Sequence, residues 1–420
     1  MPPKAKPSDP VLDGLHKVCD ERARAATDDD AVAGVLPRYV ASPSSNAQAA
    51  EVMSLAEQHE LIVVARGAGT KLDWGLPPSA VDLVVDTTGL SGVVEHVAGD
   101  LVCLVRAGTP VRELQEQLAG HGQQLALDSA LADATVGGTV AVSTSGPRRL
   151  LYGTLRDLLI GVTFVRADGV VAKAGGKVVK NVAGYDFGKL LTGSYGTLGL
   201  VTEAVVRLHP VPAARRVVTV EATDRAQAGR LAAADIGSQL VPTAVEVDQS
   251  GDGPVTVTVL LEGIEACVGG RERGAVELLG PSAAVTGDLP DGFGDYPFES
   301  GGTGLKLTST ITGVADVLDT AHRLSAEHAA PLSLRGSAAG VIYAGLPAQA
   351  PADDVAAVVD RLRDTCSTHG GGVTVLTAPP EVRGAVDVWG PVPGLHLMRR
   401  VKDEMDPGHR LAPGRFVGGI

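Results

Sequence analysis

Three clusters of glycine, hydroxyl and basic residues in the first half of the chain have the composition of a phosphate-binding backbone. The first cluster directly follows a short apolar segment and reads Arg66-Gly67-Ala68-Gly69-Thr70-Lys71. Glycines at alternate positions let a backbone turn with positive φ and approach a ligand closely, and successive N–H groups in such a turn bind anions. A plain turn between strands is the alternative, and it does not account for the hydroxyl and the two basic side chains.

The second cluster extends from Asp128 to Gly153 and is rich in small and hydroxylated residues. Such a stretch makes a poor core, and Val136, Val140 and Val142 interrupt it periodically, which disfavours a flexible linker. It suits a backbone that wraps a flat ligand with polar edges. Its candidate ligand-binding residues are Asp128, Ala134, Thr135, Gly137, Gly138, Ser143, Ser145, Gly146, Tyr152 and Gly153.

The third cluster covers residues 177–199 and ends in Gly193-Ser194-Tyr195-Gly196-Thr197-Leu198-Gly199 before an apolar run. These glycines predict close backbone approach, although a tight turn into a buried strand explains Gly196 and Gly199 equally well. Two common nucleotide-binding modes are excluded by pattern. After Gly69 the third glycine of a Rossmann fingerprint is missing, and no Gly-Lys pair is followed by the Ser or Thr of a Walker A loop.

The elements that must position these loops alternate between helical and strand patterns. A helix over 46–60, strands over 61–65 and 81–85, and a hairpin of 93–98 and 101–106 surround the first cluster. Thr109 predicts the N-cap of a helix over 110–119. Strands over 159–165, 170–173 and 200–208 follow.

After Pro212 the pattern becomes two similar β-α-β-β series separated by a glycine-rich loop over 287–304. The duplication predicts one antiparallel sheet covered by helices on one face. We therefore expect an α+β protein with an N-terminal tail and helix (1–32), a ligand-binding domain (33–213), an α+β cap (214–393) and a C-terminal segment (394–420).

Composition limits the partners. The net charge of −13 argues against nucleic acid and anionic membrane surfaces. The four cysteines are scattered, which excludes a cysteine-ligated iron–sulfur cluster and a zinc ribbon and favours a reduced, cytoplasmic protein. Residues 1–10 lack the apolar region of a signal peptide, and no apolar run has the length of a membrane span.

The order of the motifs resembles the FAD-binding domain of the vanillyl-alcohol oxidase / p-cresol methylhydroxylase (PCMH) family. The resemblance rests on RGAGT, ATVGGTVAVSTSGPRRLLYGTLRD and KVVKNVAGYDFGKLLTGSYGTLGLVTE, and spans about residues 33–213. KNVAGYD and the C-terminal segment from Trp389 to Gly419 are most similar to the FAD-binding subunits of bacterial glycolate oxidases.

The resemblance implies a PCMH-type FAD-binding domain in two parts, an FAD cofactor and a set of cofactor-binding residues. In the family the first loop binds the pyrophosphate and the second runs along the pyrophosphate and isoalloxazine, while the third approaches from the other side. No histidine stands in residues 66–74, so the FAD is expected to be non-covalent there. The residues carried over are Arg66, Gly67, Ala68, Gly69, Thr70 and Lys71, those of the second cluster, and Gly196, Leu198, Gly199 and Val201.

Two departures from the family pattern bear on activity. Larger 2-hydroxy-acid dehydrogenases of this family have Glu where Tyr195 stands, and they carry a C-terminal HxHxGDGN metal and substrate motif that this sequence lacks. No metal site is therefore expected. The resemblance implies partners instead: a catalytic flavoprotein subunit and an iron–sulfur subunit of a glycolate oxidase complex, with the chain in the cytoplasm or peripheral on the inner membrane face through those partners.

Oxidation of a 2-hydroxy acid on a flavin needs a cation for the carboxylate and a base for the hydroxyl proton. The candidate cations are Arg148, Arg335 and Arg399, and the candidate bases are His209, His396 and His409. Each has a structural alternative, such as a solvated arginine or a strand-end histidine. Three functions stay open: an FAD-dependent oxidoreductase of glycolate or D-lactate, a non-catalytic FAD-binding relay subunit, and a standalone sugar or alcohol oxidase.

Overall fold

The computed structural model describes residues 9–131, 133–177, 184–251, 253–328 and 330–420. The expected tail over 1–8 and the KNVA part of the third cluster, residues 180–183, lie outside the described residues. The helices are α1 Pro10–Cys19, α2 Asn46–Gln58, α3 Val111–Ala119, α4 Val136–Val142, α5 Arg149–Tyr152, α6 Leu155–Leu158, α7 Phe187–Leu191, α8 Arg225–Ile236, α9 Glu265–Leu279, α10 Val314–Glu327, α11 Ala352–Thr368, α12 Pro380–Ala385 and α13 Leu395–Met405. The strands are β1 Ala23–Ala25, β2 Tyr39–Ala41, β3 Val63–Arg66, β4 Leu83–Asp86, β5 Val93–Val97, β6 Val102–Arg106, β7 Gln123–Gln124, β8 Leu159–Val165, β9 Val171–Gly175, β10 Leu200–Arg207, β11 His209–Pro210, β12 Ala214–Ala222, β13 Ala244–Gln249, β14 Val255–Gly263, β15 Ala284–Thr286, β16 Thr303–Thr308, β17 Ser333–Ser337, β18 Val341–Leu346 and β19 Gly372–Thr377.

The N-terminal half contains two main sheets. The first has the order β1-β2-β4-β3, with β2 and β3 both parallel to β4. The second is antiparallel, with the order β5-β6-β10-β8-β9. The predicted hairpin is confirmed as β5 and β6, and helix α2 packs its buried face (Ala49, Val52, Met53 and Ala56) against the first sheet.

Helix α3 forms where the sequence predicts it, but its N-terminus differs. Pro110 is the N-cap residue and makes no side-chain cap. The prediction that Thr109 caps the helix was wrong. Its buried hydroxyl instead accepts a hydrogen bond from the backbone N–H of Gly92 at 2.9 Å. Thr109 therefore ties the start of the helix to the hairpin, a use that depends on a contact distant in sequence.

The C-terminal half is built on one eight-stranded antiparallel sheet, with the order β15-β12-β14-β13-β17-β18-β16-β19. Each of the two predicted β-α-β-β series contributes its strands to this sheet, and the α+β fold class is confirmed. Along β16, Leu305 and Leu307 lie in the core beneath the helices. Since successive side chains of a strand point to opposite faces, Lys306 lies on the other face, which fronts the N-terminal half.

The C-terminal segment lies alongside strand β3. The backbone N–H of Val63 donates to the carbonyl of Arg410, and that of Ala412 donates to the carbonyl of Val63, both at 2.8 Å. The buried Lys402 of α13 donates to Asp406 at 2.7 Å and to the carbonyls of Thr197 and Leu411 at 2.8 Å. These bonds fix the last residues of the chain beside the first glycine loop. Within the described residues, none of the helices combines the length and apolar character of a membrane span.

Candidate cofactor and substrate site

The first glycine loop and helix α4 together enclose a cavity. Gly67 approaches the helix start so closely that a Cβ atom there would lie 2.2 Å from Thr135 Oγ1. Gly69 adopts a φ of +79°, which favours glycine. The cavity is lined by Val64, Ala65, Gly67, Ala68, Gly69, Thr70, Lys71, Leu72, Thr135, Gly138, Ala141, Val142, Tyr195 and Arg415.

Part of the second cluster, interpreted from the sequence as a wrapping loop, forms helix α4. Thr135 is its N-cap, and its Oγ1 accepts a hydrogen bond from the Gly138 N–H at 3.2 Å. A Cβ atom at Gly137 would lie 2.7 Å from the Ala107 Cβ, so this glycine lets the helix pack against the end of β6. The short, glycine-containing helix escapes sequence detection because its two glycines are poor helix formers.

Lys71 and Arg415 place two buried cations at this cavity. Among the described residues, the Lys71 ammonium has one hydrogen-bond partner, the Thr70 hydroxyl at 3.4 Å, and burial lowers the pKa of Lys71 to about 8. The Arg415 guanidinium donates to the Trp74 carbonyl at 3.0 Å, while its Nη1 has no partner in the described part of the chain. Burial lowers the pKa of Arg415 to about 10, against the opposing influence of Tyr195 and Asp73.

Arg66, the other basic residue of the first loop, does not line the cavity. Its guanidinium donates to Asp30 at 3.1 Å and to Asp86 at 2.9 Å. Asp30 is also bound by Arg24, and that hydrogen bond holds the pKa of Asp30 well below its usual range. The sequence predicts the first loop as a cradle with two cations, Arg66 and Lys71, and of these two Lys71 is the one that faces the cavity.

The cavity fits the phosphates of FAD. Buried charges are normally paired with an opposite charge or a metal, yet no carboxylate stands among the residues that line this space. A pyrophosphate bound there would neutralise both cations, and Lys71, Arg415, Thr70 and the backbone of Gly67 to Gly69 would hold it.

Several other predicted cofactor residues are not among those that line the first cavity. Asp128 accepts hydrogen bonds from the backbone and the guanidinium of Arg148 at 2.8 and 2.5 Å, and a Cβ at Gly146 would collide with Asp128. Ser145 Oγ accepts from the Leu155 N–H at 3.0 Å. The remaining predicted residues of this group, which do not line the cavity, are Ala134, Tyr152, Gly153, Gly196, Leu198, Gly199 and Val201.

A second cavity of about 200 Å³ adjoins the first, because Tyr195 and Val142 line both. It lies between the N-terminal half and the open face of the cap sheet. Tyr195 has a φ of +56°, rare for a bulky residue, and burial raises its pKa. The second cavity is lined by Trp74, Val142, Ser143, Thr144, Gly193, Tyr195, Lys306, Tyr343, Thr374, Leu376, Trp389 and Phe416.

Lys306 is the cation of the second cavity, and the sequence reasoning did not select it. Strand pairing puts it beside Tyr343 and Thr374 on the open face of the sheet. Burial lowers the pKa of Lys306, opposed by Tyr343 and reinforced by Arg149. Arg149 donates to the Tyr343 hydroxyl at 3.3 Å. The sequence contains one indication of this role. Lys306 stands between two leucines of a strand, a pattern that indicates a charged residue on the face opposite the core.

The predicted catalytic arginines make structural contacts away from this cavity. Arg148 donates to Asp128 at 2.5 Å and to Glu262 at 2.9 Å; burial would lower the pKa of Arg148, but Glu262 and Asp128 raise it above its ordinary value. Arg335 pairs with Asp248 and donates to the Gly292 carbonyl at 2.7 Å. Arg399 is exposed and donates to the Gly418 carbonyl at 3.2 Å.

The predicted histidine bases also lie outside the second cavity. His209 packs on Tyr152 with ring centroids 4.6 Å apart, and burial lowers the pKa of His209. His396 is exposed on α13, and His409 lies 2.9 Å from Asp403 at the surface. In the described ranges, no group of histidine, cysteine or carboxylate side chains is arranged to hold a metal ion.

Comparisons with known proteins agree with this site. Residues 37–175 match the family described as FAD binding domain. The chain is 30% identical over 212 residues to glycolate oxidase subunit GlcD of Bacillus subtilis, covering 50% of this chain and 45% of that protein. It is 36% identical over 154 residues to glycolate oxidase subunit GlcE of Escherichia coli, covering 36% and 43% respectively. It is 34% identical over 171 residues to a D-lactate dehydrogenase of Archaeoglobus fulgidus, covering 41% and 38%.

Each match spans less than half the length of these relatives. The fold is also similar to a solved alkyldihydroxyacetonephosphate synthase, with a TM-score of 0.70 at 15% identity over 94% of this chain and 82% of that one. That likeness covers both halves of the molecule, whereas the family model matches residues 37–175 in the half with the glycine loops. Residues 37–175 are thus similar to the family of FAD binding domains.

Proposed function

We propose that this protein is an FAD-dependent oxidoreductase of short 2-hydroxy monocarboxylic acids such as glycolate or D-lactate. The single observation that carries the proposal is the cavity of about 200 Å³ that adjoins the FAD cavity and holds one cation, Lys306. The relatives named as glycolate oxidase subunits and D-lactate dehydrogenases support this substrate class.

The cavity walls match the chemistry of such a substrate. Lys306 would bind the carboxylate by a charge-assisted hydrogen bond. Trp74, Trp389 and Phe416 supply apolar walls. When bound, FAD would accept the hydride from the substrate carbon. Arg149 fixes the Tyr343 hydroxyl beside Lys306, which orients the polar end of the cavity.

A second candidate function is an FAD-binding relay subunit without its own substrate turnover. It is favoured by the absence of histidine and carboxylate side chains from the residues described as lining the 200 Å³ cavity. Burial raises the pKa of Tyr195, so this residue is a poor base at neutral pH. A base would then come from another chain.

Both versions of the proposal include partners. Subunit names among the relatives support a complex. The resemblance to the FAD-binding subunits of glycolate oxidases suggests a catalytic flavoprotein and an iron–sulfur subunit as its other members. A cytoplasmic location, with any membrane contact made through the partners, agrees with four free cysteines, of which Cys19, Cys103 and Cys366 are buried.

The test exploits the position of the two tryptophans, which are the whole tryptophan content of the chain and both line the 200 Å³ cavity. Glycolate, D-lactate and the unreactive analogue oxalate are titrated into the FAD-loaded protein while tryptophan fluorescence is followed. Anaerobic flavin absorbance is recorded in parallel. We expect saturable fluorescence changes with all three anions, and bleaching of the flavin by a 2-hydroxy acid.

Lys306→Met should weaken anion binding about 10- to 100-fold, the loss of a hydrogen bond to a charged group of about 1.5–3 kcal/mol. Lys173→Met, at an exposed position of β9, is the matched control and should bind the anions normally. Binding without bleaching would favour the relay function. Equal affinity of wild type and Lys306→Met, with equal flavin content, would refute the assignment of this cavity as the substrate site.

A further inference from the structure

Two partly buried cations, Lys306 and Arg149, lie on either side of the Tyr343 hydroxyl at the polar end of the substrate cavity. Arg149 donates to the Gly146 carbonyl at 3.0 Å and to the Tyr343 hydroxyl at 3.3 Å, and none of its bonds in the described ranges goes to a carboxylate. The described residues that line the cavity beside Lys306 include no carboxylate either. Since buried charges are normally paired with an opposite charge, this end of the cavity fits an anionic ligand.

Tyr343 is held in one orientation by its neighbours. Strand pairing places it directly opposite Lys306, on the sheet face that fronts the N-terminal half. The Tyr296 ring meets it edge-on with centroids 4.8 Å apart, and Arg149 binds its hydroxyl. Because Tyr343 is only 8% exposed, its hydroxyl has a fixed place beside the Lys306 ammonium.

Two glycines of the cap sheet make room for the segment that carries Tyr296. A Cβ atom at Gly304 in β16 would lie 2.8 Å from the Phe298 ring. A Cβ atom at Gly345 in β18 would lie 2.1 Å from the Pro297 carbonyl oxygen. The absence of side chains at these two positions therefore lets residues 296–298 lie against the sheet, where they support the Tyr343 ring.

Tyr343 can make hydrogen bonds that the two cations cannot. Lysine and arginine side chains only donate, whereas a phenol has one O–H to donate and an oxygen that accepts. Arg149 uses part of the accepting capacity of the Tyr343 oxygen, and its charge polarises the phenol and strengthens the O–H as a donor. An alcohol group both donates and accepts, so it complements this phenol, while a carboxylate complements Lys306.

We infer that Tyr343 binds the 2-hydroxyl group of the substrate while Lys306 binds the adjacent carboxylate, and that Arg149 is a positioning residue acting through Tyr343. This inference rests on the proposed function and names the side chain that distinguishes 2-hydroxy acids from plain carboxylic acids. The two groups of a 2-hydroxy acid are on neighbouring carbons. One short molecule can therefore reach both side chains, which are opposite each other in paired strands.

The experiment compares two acids that cannot transfer a hydride from a carbinol carbon, so its result does not depend on turnover. 2-Hydroxyisobutyrate carries the hydroxyl group but no hydrogen on the same carbon, and isobutyrate lacks the hydroxyl group. Each acid is titrated into the FAD-loaded protein, and the fluorescence of the two cavity tryptophans gives its Kd. We expect wild type to bind the hydroxy acid about tenfold more tightly, the contribution of one hydrogen bond to a polarised phenol.

Tyr343→Phe keeps the ring and removes the hydroxyl, so the two affinities should come within about twofold of each other. Arg149→Met should weaken the binding of both acids through the lost charge and reduce the preference for the hydroxy acid about threefold. In the Tyr343→Phe background it should leave the remaining preference unchanged, and a double-mutant cycle measures this coupling. Tyr185→Phe, at a position 88% exposed, is the control and should keep the wild-type preference. Flavin content and melting temperature are recorded for every variant.

An undiminished preference in Tyr343→Phe, with flavin content equal to wild type, would overturn the inference. Loss of the preference in Thr374→Val instead would also overturn it, because that substitution removes the hydroxyl on the other side of Lys306. Additive effects of the Arg149 and Tyr343 substitutions would contradict the positioning role.

Failure of the proposed function gives a different pattern. If wild type binds both acids equally while glycolate or D-lactate bleaches the flavin, the inference is wrong and the function stands. If the preference depends on Tyr343 but no 2-hydroxy acid bleaches the flavin, the inference is supported and the relay function is favoured. If wild type binds neither acid, the substrate site and the inference are both refuted.

Discussion

Lys71 and Arg415 are available to bind a ligand because no acidic side chain among the described residues neutralises them at the cavity. Both are buried basic side chains that face the FAD cavity, where no described lining residue is acidic. Arg66 is only five positions before Lys71 in the same loop, and its charge is matched by Asp30 and Asp86. Arg66 and Lys71 are thus both basic residues of one loop. The carboxylates beside Arg66 make it a structural cation, whereas Lys71 has none among the described residues and can bind a ligand.

Replacing Lys71 with methionine should lower the affinity for FAD about 10- to 100-fold, because a charge-assisted hydrogen bond to phosphate is lost. The pKa of about 8 in the cofactor-free protein gives the pH dependence. Below that pH the ammonium is charged and binds the phosphate; as pH rises through 8 the free protein loses this charge, so FAD affinity should fall. Calorimetric titration of the apoprotein at several pH values measures both effects.

The fall of affinity above pH 8 should be reduced in Lys71→Met, which has no ammonium to titrate. Lys173→Met provides the control, as its exposed side chain should leave affinity and pH profile unchanged. A parallel pH profile in wild type and Lys71→Met would show that another group governs phosphate binding.

At the scale of elements, the cofactor cavity depends on the contact between a loop and a helix start. The loop after β3 supplies Gly67, and the N-cap of α4 supplies Thr135. The sequence locates both segments and the strands around them, since strand and turn signals are local. It does not predict α4, whose stability comes from burial of Val136 and Val140 beside α3 and β6 and hardly from intrinsic propensity.

Gly67→Ala should disrupt this contact, because its Cβ would lie 2.2 Å from Thr135 Oγ1. Either the loop or the threonine must move, and loss of the N-cap hydrogen bond costs about 1 kcal/mol. We expect FAD affinity to drop at least tenfold and the melting temperature of the apoprotein to fall by about 1–2 °C.

Gly99→Ala is the matched control for that substitution, since a Cβ at Gly99 meets no atom within 4 Å. It should retain cofactor affinity and stability. Unimpaired FAD binding by Gly67→Ala would mean that the two segments need not approach each other to form the cradle.

At the scale of the whole molecule, Arg148 links the FAD-binding half to the cap sheet. It donates to Asp128 in the second cluster and to Glu262 in β14, and the Asp128 and Glu262 side chains are 11% and 5% exposed. The substrate cavity lies between the same two halves, so its shape depends on how firmly they are joined. The arginine suggested by sequence as a catalytic cation thus contributes to the site through domain geometry.

Arg148→Met should destabilise the protein by about 3 kcal/mol, because breaking a buried pair leaves an uncompensated charge on its partners. We expect calorimetric unfolding to broaden toward two transitions, one for each half. Arg112→Met is the comparison: its ion pair with Asp133 has side chains that are 65% and 72% exposed, and such surface pairs contribute about 0–1 kcal/mol. Equal effects of the two substitutions would contradict a coupling role for Arg148.

The sequence by itself determined the longer helices, most of the strands, the α+β class and the position of the glycine loops, because periodicity, turn residues and ordered motifs are properties of neighbouring residues. The tertiary structure decided which side chains face the cavities. Lys306 and Arg415 are far from the glycine loops in sequence and enter the site only when β16 and the C-terminal segment pack beside them. Arg66, Arg148 and Arg335 are neutralised by carboxylates 20 to 114 residues away. A basic side chain can bind a ligand only if no carboxylate already pairs with it. Long-range packing brings those carboxylates into place. Local sequence patterns therefore could not show which basic side chains face the cavities.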